Sequence, residues 1–211
     1  MTRSAGSGPR EVDGLLPLAE SRPREALNKA RVILKGRPDP YEASVAHHAA
    51  GIVLREFGDV DAGVSELREA LHQARRTGLT EREVDVLAAL GVALVYAGRT
   101  TAGLAAFDRA LQLCNGVQAG YVLHRRSVVL WTLGQYAAAL DDTRRAVTIL
   151  RRVGDKLWTA RALNVRGLAY LGLGQPGRAD ADFVAAGLLF AEISQVLESA
   201  YVVQNLSLIH I

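Results

Sequence analysis

The chain has 211 residues but only one cysteine, Cys114, one methionine and three lysines, Lys29, Lys35 and Lys156, and only 6% of its residues are aromatic. A lone thiol excludes an internal disulfide and any cysteine-based zinc site within the chain, and a reducing, cytoplasmic setting fits. No stretch approaches the ~20 consecutive apolar residues that a bilayer crossing requires, so no membrane partner is expected. The opening MTRSAGSGPR is small and polar with no apolar run behind its charge, unlike a secretory signal. Charge of one sign is scarce as well. The 25 basic and 22 acidic residues leave a formal charge of +3 and are interspersed, so a nucleic-acid partner is disfavoured. What is present is 49% hydrophobic and 22% charged, a globular composition with ample apolar material for a core. Arginine in place of lysine, with abundant alanine and glycine, fits a GC-rich genome.

Four segments align on one pattern: AGIVLREFGDVDAGVSELREAL from Ala50, LGVALVYAGRTTAGLAAFDRAL from Leu90, RSVVLWTLGQYAAALDDTRRAV from Arg126 and RGLAYLGLGQPGRADADFVAAG from Arg166. A small residue recurs at Gly51, Gly91, Ser127 and Gly167, in steps of 40, 36 and 40. A second glycine keeps the same register at Gly58, Gly98, Gly134 and Gly174. The first set suits a point where two helices approach too closely for a side chain. Leu54, Leu94, Leu130 and Tyr170 follow three residues later on the same helical face and fill the space beside it. The second set ends the first helix of each unit in a left-handed turn. Ala70, Ala110, Ala146 and Ala186 return as small residues near the end of the second helix. One helical hairpin cannot bury its apolar stripe alone, so such units must stack.

No strand-like alternation appears, and the expected fold is all-α. Helices are expected over 11–20, 23–36, 41–57, 60–77, 80–97, 100–115, 118–133, 136–153, 156–173, 176–192 and from 195 to the end. Residues 1–10 read as a disordered tail and 11–205 as the stack. The first pair of helices is a weaker copy, with Gly14, Ala26 and Ile33 at the small and packing positions. A further step of 40 from Gly167 lands on Ser207, so 206–211 reads as the truncated start of a sixth unit or as a non-native tail. Its apolar Leu206, Leu208, Ile209 and Ile211 are unlike the polar outer face of a terminal repeat, which points to a fragment of a longer protein.

These residues resemble tetratricopeptide repeats, with paired helices and small residues at the crossings, over about residues 11–205. The resemblance implies a right-handed α-solenoid of about five hairpins that serves as a protein-binding scaffold. Steps of 40 exceed that family's usual ~34 residues. More narrowly, RRVGDKLWTARALNVRGLAYLGLG, followed by YVVQNL, is similar to the N-terminal arms of actinobacterial proteins that end in a caspase-like CHAT domain. That resemblance implies a cysteine peptidase effector in cis. The histidine and cysteine of such a domain are not in these residues.

Sites of chemistry are harder to find. Gly172-Leu-Gly174-Gln-Pro-Gly177 spells G-x-G-x-x-G, but a dinucleotide fingerprint needs a strand before it, and Pro176 removes an amide. No cofactor is expected. His47 and His48 are adjacent, hence ~100° apart on a helix, and do not share a coordinating face. They read as exposed or groove-lining histidines, and Cys114 as a buried apolar residue. The pairs Arg144-Arg145 and Arg151-Arg152 could follow a phosphate backbone, but Asp141 and Asp142 lie three and four residues before them, which suits ion pairs on a solvated face. No Ser/His/Asp set, carboxylate pair or metal-ligand spacing stands out, so no enzyme is read here.

The expected binding surface is the groove lined by the first helices. Counting three to five residues either side of the core small residue, His48, Arg55, Tyr96, His124, Trp131, Arg161 and Asn164 point inward. Trp131 and Tyr96 offer flat contact area, and Arg55 and Arg161 offer bidentate donors, the residue types enriched in binding hot spots. Trp131 equally suits packing between units. Carboxylate-clamp grooves rely on lysines and asparagines, of which Asn164 is the main candidate here. The function expected is capture of a peptide or protein segment, as the sensor or adaptor arm of a larger signalling protein. The effector in cis is then a CHAT-type peptidase, a transcriptional regulator or a signalling ATPase.

Overall fold

The computed structural model describes residues 12–193 together with Val202 and Asn205. Its helices are α1 (Leu15–Ser21), α2 (Pro23–Lys35), α3 (Pro40–Glu56), α4 (Val60–Thr77), α5 (Thr80–Tyr96), α6 (Thr100–Leu113), α7 (Gly116–Thr132), α8 (Tyr136–Val153), α9 (Lys156–Gly172) and α10 (Pro176–Glu192). Every expected helix between 11 and 192 is present, and no strand occurs among the described residues. The fold class is that of an all-α solenoid. The expected tail at 1–10, the helix from 195 and the segment 206–211 lie outside the described residues, Val202 and Asn205 excepted.

The chain forms two compact units, residues 1–106 and 107–211. In the first, α1 packs on α2 and α3, α3 on α4, and α4 on α5, while the first helices α3 and α5 also touch. In the second, α7 packs on α8 and α9, α8 on α9, and α9 on α10. Each unit is therefore a run of hairpins in which successive first helices lie side by side.

Local chemistry sets the boundaries. Asp39 opens α3 with a capping box: its carboxylate accepts from the Glu42 amide at 2.9 Å, and the Glu42 carboxylate accepts from the Asp39 amide at 3.1 Å. Asp155 caps α9 by accepting from the Trp158 amide at 3.1 Å. Gly58, Gly98, Gly134 and Gly174 are left-handed, with φ between 68° and 87°, as a helix stop requires.

The small residues stand where helices cross. A Cβ on Gly51 would lie 2.6 Å from Leu67 Cγ and 2.9 Å from the Gly63 carbonyl oxygen, and one on Gly167 would lie 2.5 Å from the Phe183 ring. Ser127 is fully buried, and its hydroxyl donates to the His124 carbonyl at 2.7 Å. Ala70, Ala110, Ala146 and Ala186 are all fully buried. The sequence reading misses a second small position twelve residues after the first. A Cβ on Gly63 or Gly103 would meet the carbonyl of Gly51 or Gly91 at 2.9 and 2.7 Å. Gly14 departs from expectation: it is the left-handed residue before α1, with φ 86° and no described residue within 4 Å of an added Cβ, so it stands at a helix start and not at a crossing.

Around these crossings the cores fill with aliphatic and aromatic side chains. Leu15, Ala26, Ile33, Val45 and Val53 pack together in the first unit, and Leu123, Leu150, Leu163, Phe183 and Phe190 in the second. In the second unit the repeat also carries a fork. Arg166 donates from Nε and Nη2 to Asp182 at 2.7 and 2.6 Å, and Arg126 donates likewise to Asp142 at 2.6 and 2.7 Å. Both pairs join residues sixteen apart, at equivalent repeat positions. Asp182 and Asp142 are buried, and a bidentate guanidinium is what allows a carboxylate there. Asp142 is thus a partner of α7, which corrects its expected intrahelical role. Asp141 does pair with Arg144, at 3.6 Å on the exposed side of α8.

Candidate functional site

First helices present one repeat position to one another. The residue three before the core small residue reaches the residue nine before the next one. In the first unit these are His48 and Arg82. Arg82 is buried; it donates from Nε to the Ser44 hydroxyl and from Nη2 to the Ser44 carbonyl, both at 3.0 Å, while Nη2 lies 2.8 Å from His48 Nδ1. Burial lowers its pKa, and the charges of Asp85 and Tyr41 oppose that shift. His48 is therefore part of a buried polar lock. It does not line an open groove, because the guanidinium of the neighbouring first helix lies against it. Its neighbour His47 sits 2.6 Å from Glu66 and is half-buried, which also corrects the exposed reading.

Further along the same two helices, Arg55 lies over the Tyr96 ring at 5.8 Å and pairs with Glu56. Tyr96 is 60% exposed. These two expected groove residues do come together within the first unit.

In the second unit the equivalent positions hold His124 and Trp158, and here the contact is aromatic. The His124 ring meets the Trp158 indole edge-on, with centroids 5.3 Å apart. Tyr121, one turn before His124 on α7, stacks obliquely on the same indole at 4.9 Å and donates its hydroxyl to Asp155 at 2.7 Å. Two guanidiniums complete the group, Arg125 at 5.6 Å and Arg161 at 5.0 Å from the Trp158 centroid. His124 is buried, and its Nδ1 has no hydrogen-bond partner among the described residues. Burial, and then the charges of Arg125 and Arg161, push its pKa down to about 3, so the ring is neutral near pH 7.

This cluster of Tyr121, His124, Arg125, Trp158 and Arg161 contains two of the expected residues, Arg161 and His124, although His124 is buried beside it instead of pointing inward. Asn164 lies one turn beyond Arg161 on α9 and accepts from Asn205 Nδ2 at 2.9 Å. Trp131 is half-buried and stands two turns past His124, ~10 Å further along α7, outside the group. Tyr121 and Trp158 escaped the sequence count because they lie six and nine residues from the core position, beyond its reach of five, and Arg125 because it lies only two away, inside its lower limit of three. Aligning His48 with His124, and Arg82 with Trp158, would have found Trp158.

Cys114 is half-buried just after α6, not enclosed. Gly172 and Gly174 end α9, Pro176 begins α10, and a helix precedes the motif, so the glycine pattern is a repeat junction. Among the described residues no group of three or more His, Cys, Asp or Glu side chains could hold a metal ion, and no helix is long and apolar enough to cross a membrane.

The five residues of the cluster all fall inside one recognisable stretch. Residues 118–183 match the tetratricopeptide repeat family. No curated protein matches the sequence. Among solved structures, the chain is similar to PlcR of Bacillus thuringiensis in complex with the peptide PapR7 and DNA, at 16% identity and a TM-score of 0.77 over 92% of this chain and 72% of PlcR. It is similar to the apo form of RapI at 15% identity and a TM-score of 0.68, over 94% of this chain and 57% of RapI. A Podosopora anserina putative kinesin light chain with TPR-like repeats is 12% identical, with a TM-score of 0.61 over 88% of this chain and 95% of the other. These likenesses show the fold, and the family match adds tetratricopeptide repeat character to residues 118–183.

Proposed function

We propose that the chain is a protein-interaction module that captures a peptide or protein segment on the first-helix face of its second unit. The observation that carries this reading is the Trp158 indole with Tyr121, Arg125 and Arg161 gathered about it. Large, rigid aromatic rings supply contact area at low entropic cost, and guanidiniums supply directional donors, the composition of interface hot spots. PlcR, whose fold the chain shares, is seen with a bound peptide, which supports a peptide as the partner class. In the first unit, Arg55 and the exposed Tyr96 form a smaller surface of the same composition, and the proposal extends to them, with Asn164 and Trp131 as flanking positions.

The finer reading is that this module is a sensor or adaptor arm whose effector lies in cis in a longer cytoplasmic protein. The resemblance of residues 151–174 to CHAT-associated arms favours a caspase-like peptidase as that effector. The binding proposal is tested by selecting ligands from a random displayed-peptide library against the whole chain and measuring each by fluorescence polarisation. Trp158→Ala is expected to weaken the selected peptides at least tenfold while the far-UV circular dichroism is unchanged. Selected peptides that bind this variant as tightly as the wild type would place the interaction elsewhere.

A further inference from the structure

We propose that the first unit carries a small-molecule site for an apolar amino acid, free or as a dipeptide. The ligand's carboxylate docks at Arg82 and its ammonium among neighbouring acids. This site shares no residue with the Trp158 surface and stands whether or not that surface binds a peptide. A cavity of about 660 Å³, a size that suits a small molecule, lies where α3 and α5 begin and the chain enters α1. Val12, Leu16, Val45 and Leu79 give it apolar walls.

Arg82 lines this cavity although it is only 6% exposed. Its hydrogen bonds use Nε and Nη2 alone, to the Ser44 hydroxyl, the Ser44 carbonyl and His48 Nδ1. A guanidinium only donates, so His48 Nδ1 accepts, and all three acceptors are uncharged. Arg82 makes no ion pair among the described residues. Its Nη1, with two more N–H donors, is left over. A buried cation without a counter-ion is costly, and bonds to Ser44 and His48 do not by themselves call for a charge. Helix α5 adds a second feature that suits an anion. It starts with no side-chain cap, and Leu79, Thr80 and Glu81 at that start line the same cavity, so the amides of its first turn are open to an acceptor.

An anion alone fits poorly, because Asp13, Glu81 and Asp85 also line the cavity. Each of them already takes part in other interactions of the chain, but a carboxylate has about four acceptor sites and still attracts a further cation. Acids and a guanidinium around one small volume suit a ligand that carries both charges. An ammonium answers the acids, a carboxylate answers Nη1 of Arg82, and an apolar side chain answers the aliphatic walls. An α-amino acid is the simplest molecule with those three groups, and a dipeptide presents the same groups further apart.

The test is isothermal titration calorimetry of the whole chain with leucine, phenylalanine and leucyl-leucine as probes. At least one is expected to bind with a Kd of about 1 mM or tighter, and the tighter of leucine and leucyl-leucine identifies the free or the dipeptide source. The amide of the bound probe lacks the carboxylate, and its deamino analogue lacks the ammonium. Each should bind about tenfold more weakly or worse, since each leaves one charge unanswered. Arg82→Gln should weaken the probe by a similar factor. Because that change also breaks the bonds to Ser44 and His48 and threatens folding, Leu16→Trp is the second variant. It fills the cavity with an indole and leaves the bonds of Arg82 in place, so binding should be lost while the far-UV circular dichroism is unchanged. The proposal is overturned if none of the probes binds saturably, if the amide or the deamino analogue binds as tightly as the probe, or if Leu16→Trp binds like the wild type. The peptides selected on the Trp158 surface are a separate measurement, so failure here leaves that reading standing.

Discussion

Gly167→Ala adds one methyl group at a tight helix crossing in the second unit. The new Cβ would lie 2.5, 2.8 and 2.9 Å from three atoms of the Phe183 ring, against an ordinary contact of ~3.5–4.0 Å. Phe183 is fully buried, so its ring cannot swing aside. In an unobstructed helix the same change stabilises by up to ~1 kcal/mol through the loss of glycine's backbone freedom. Overpacking a dense core costs about 1–3 kcal/mol, and an overlap of about 1 Å with an immobile ring belongs in the upper part of that range. The net expectation is destabilisation by ~1–2 kcal/mol, or roughly 2–8 °C in Tm for a chain of this size. Gly187→Ala is the matched control on the neighbouring helix α10. Among the described residues its Cβ would meet only Val202, at an ordinary 3.7 Å, so the propensity gain should survive and the variant should be as stable as the wild type or more so. Both tryptophans, Trp131 and Trp158, lie in the second unit, so fluorescence-monitored urea unfolding reads the unit that contains both substitutions. If Gly167→Ala is as stable as Gly187→Ala, the glycine is not at a helix crossing and the account of the repeat's small residues is wrong.

Arg82→Lys should destabilise the first unit nearly as much as Arg82→Ala, by about 2–4 kcal/mol, because an ammonium cannot serve both oxygens of Ser44 and the His48 ring at once; amide hydrogen exchange in α3 and α5 checks this. For Arg166 and Asp182, removing either partner should cost about 2–4 kcal/mol, and removing both should cost much less than the sum, as a double-mutant cycle in urea would show. His124 has a folded pKa of about 3, below the 6.5 of the unfolded chain, so the unfolded state binds more protons between those values. Stability should therefore fall as pH drops below 6.5, by on the order of 1–2 kcal/mol at pH 5. His124→Leu should flatten that slope in urea midpoints measured from pH 7 to pH 5.

The spacing of Gly51, Gly91, Ser127 and Gly167, with the left-handed glycines seven residues later, carried the fold in the sequence. Such periodicity is legible because a close crossing tolerates few residue types and every hairpin must make one. The candidate site was only half legible. Arg161 and His124 were marked by their distance from the crossing, but Trp158 and Tyr121 were not, since a single helix shows which side chains share a face and not which neighbour they meet.

The hairpins, their glycine stops and the crossings at Gly51, Gly91, Ser127 and Gly167 followed from the order of residues alone, because they depend on local propensity and on a pattern repeated at close range. Only the tertiary structure decided that His48 belongs to a buried lock while its equivalent, His124, borders an aromatic and cationic surface. The difference lies in the partner from the next first helix, Arg82 in one case and Trp158 in the other. What a polar side chain does in a stack of repeats depends on which residue a separate helix brings against it.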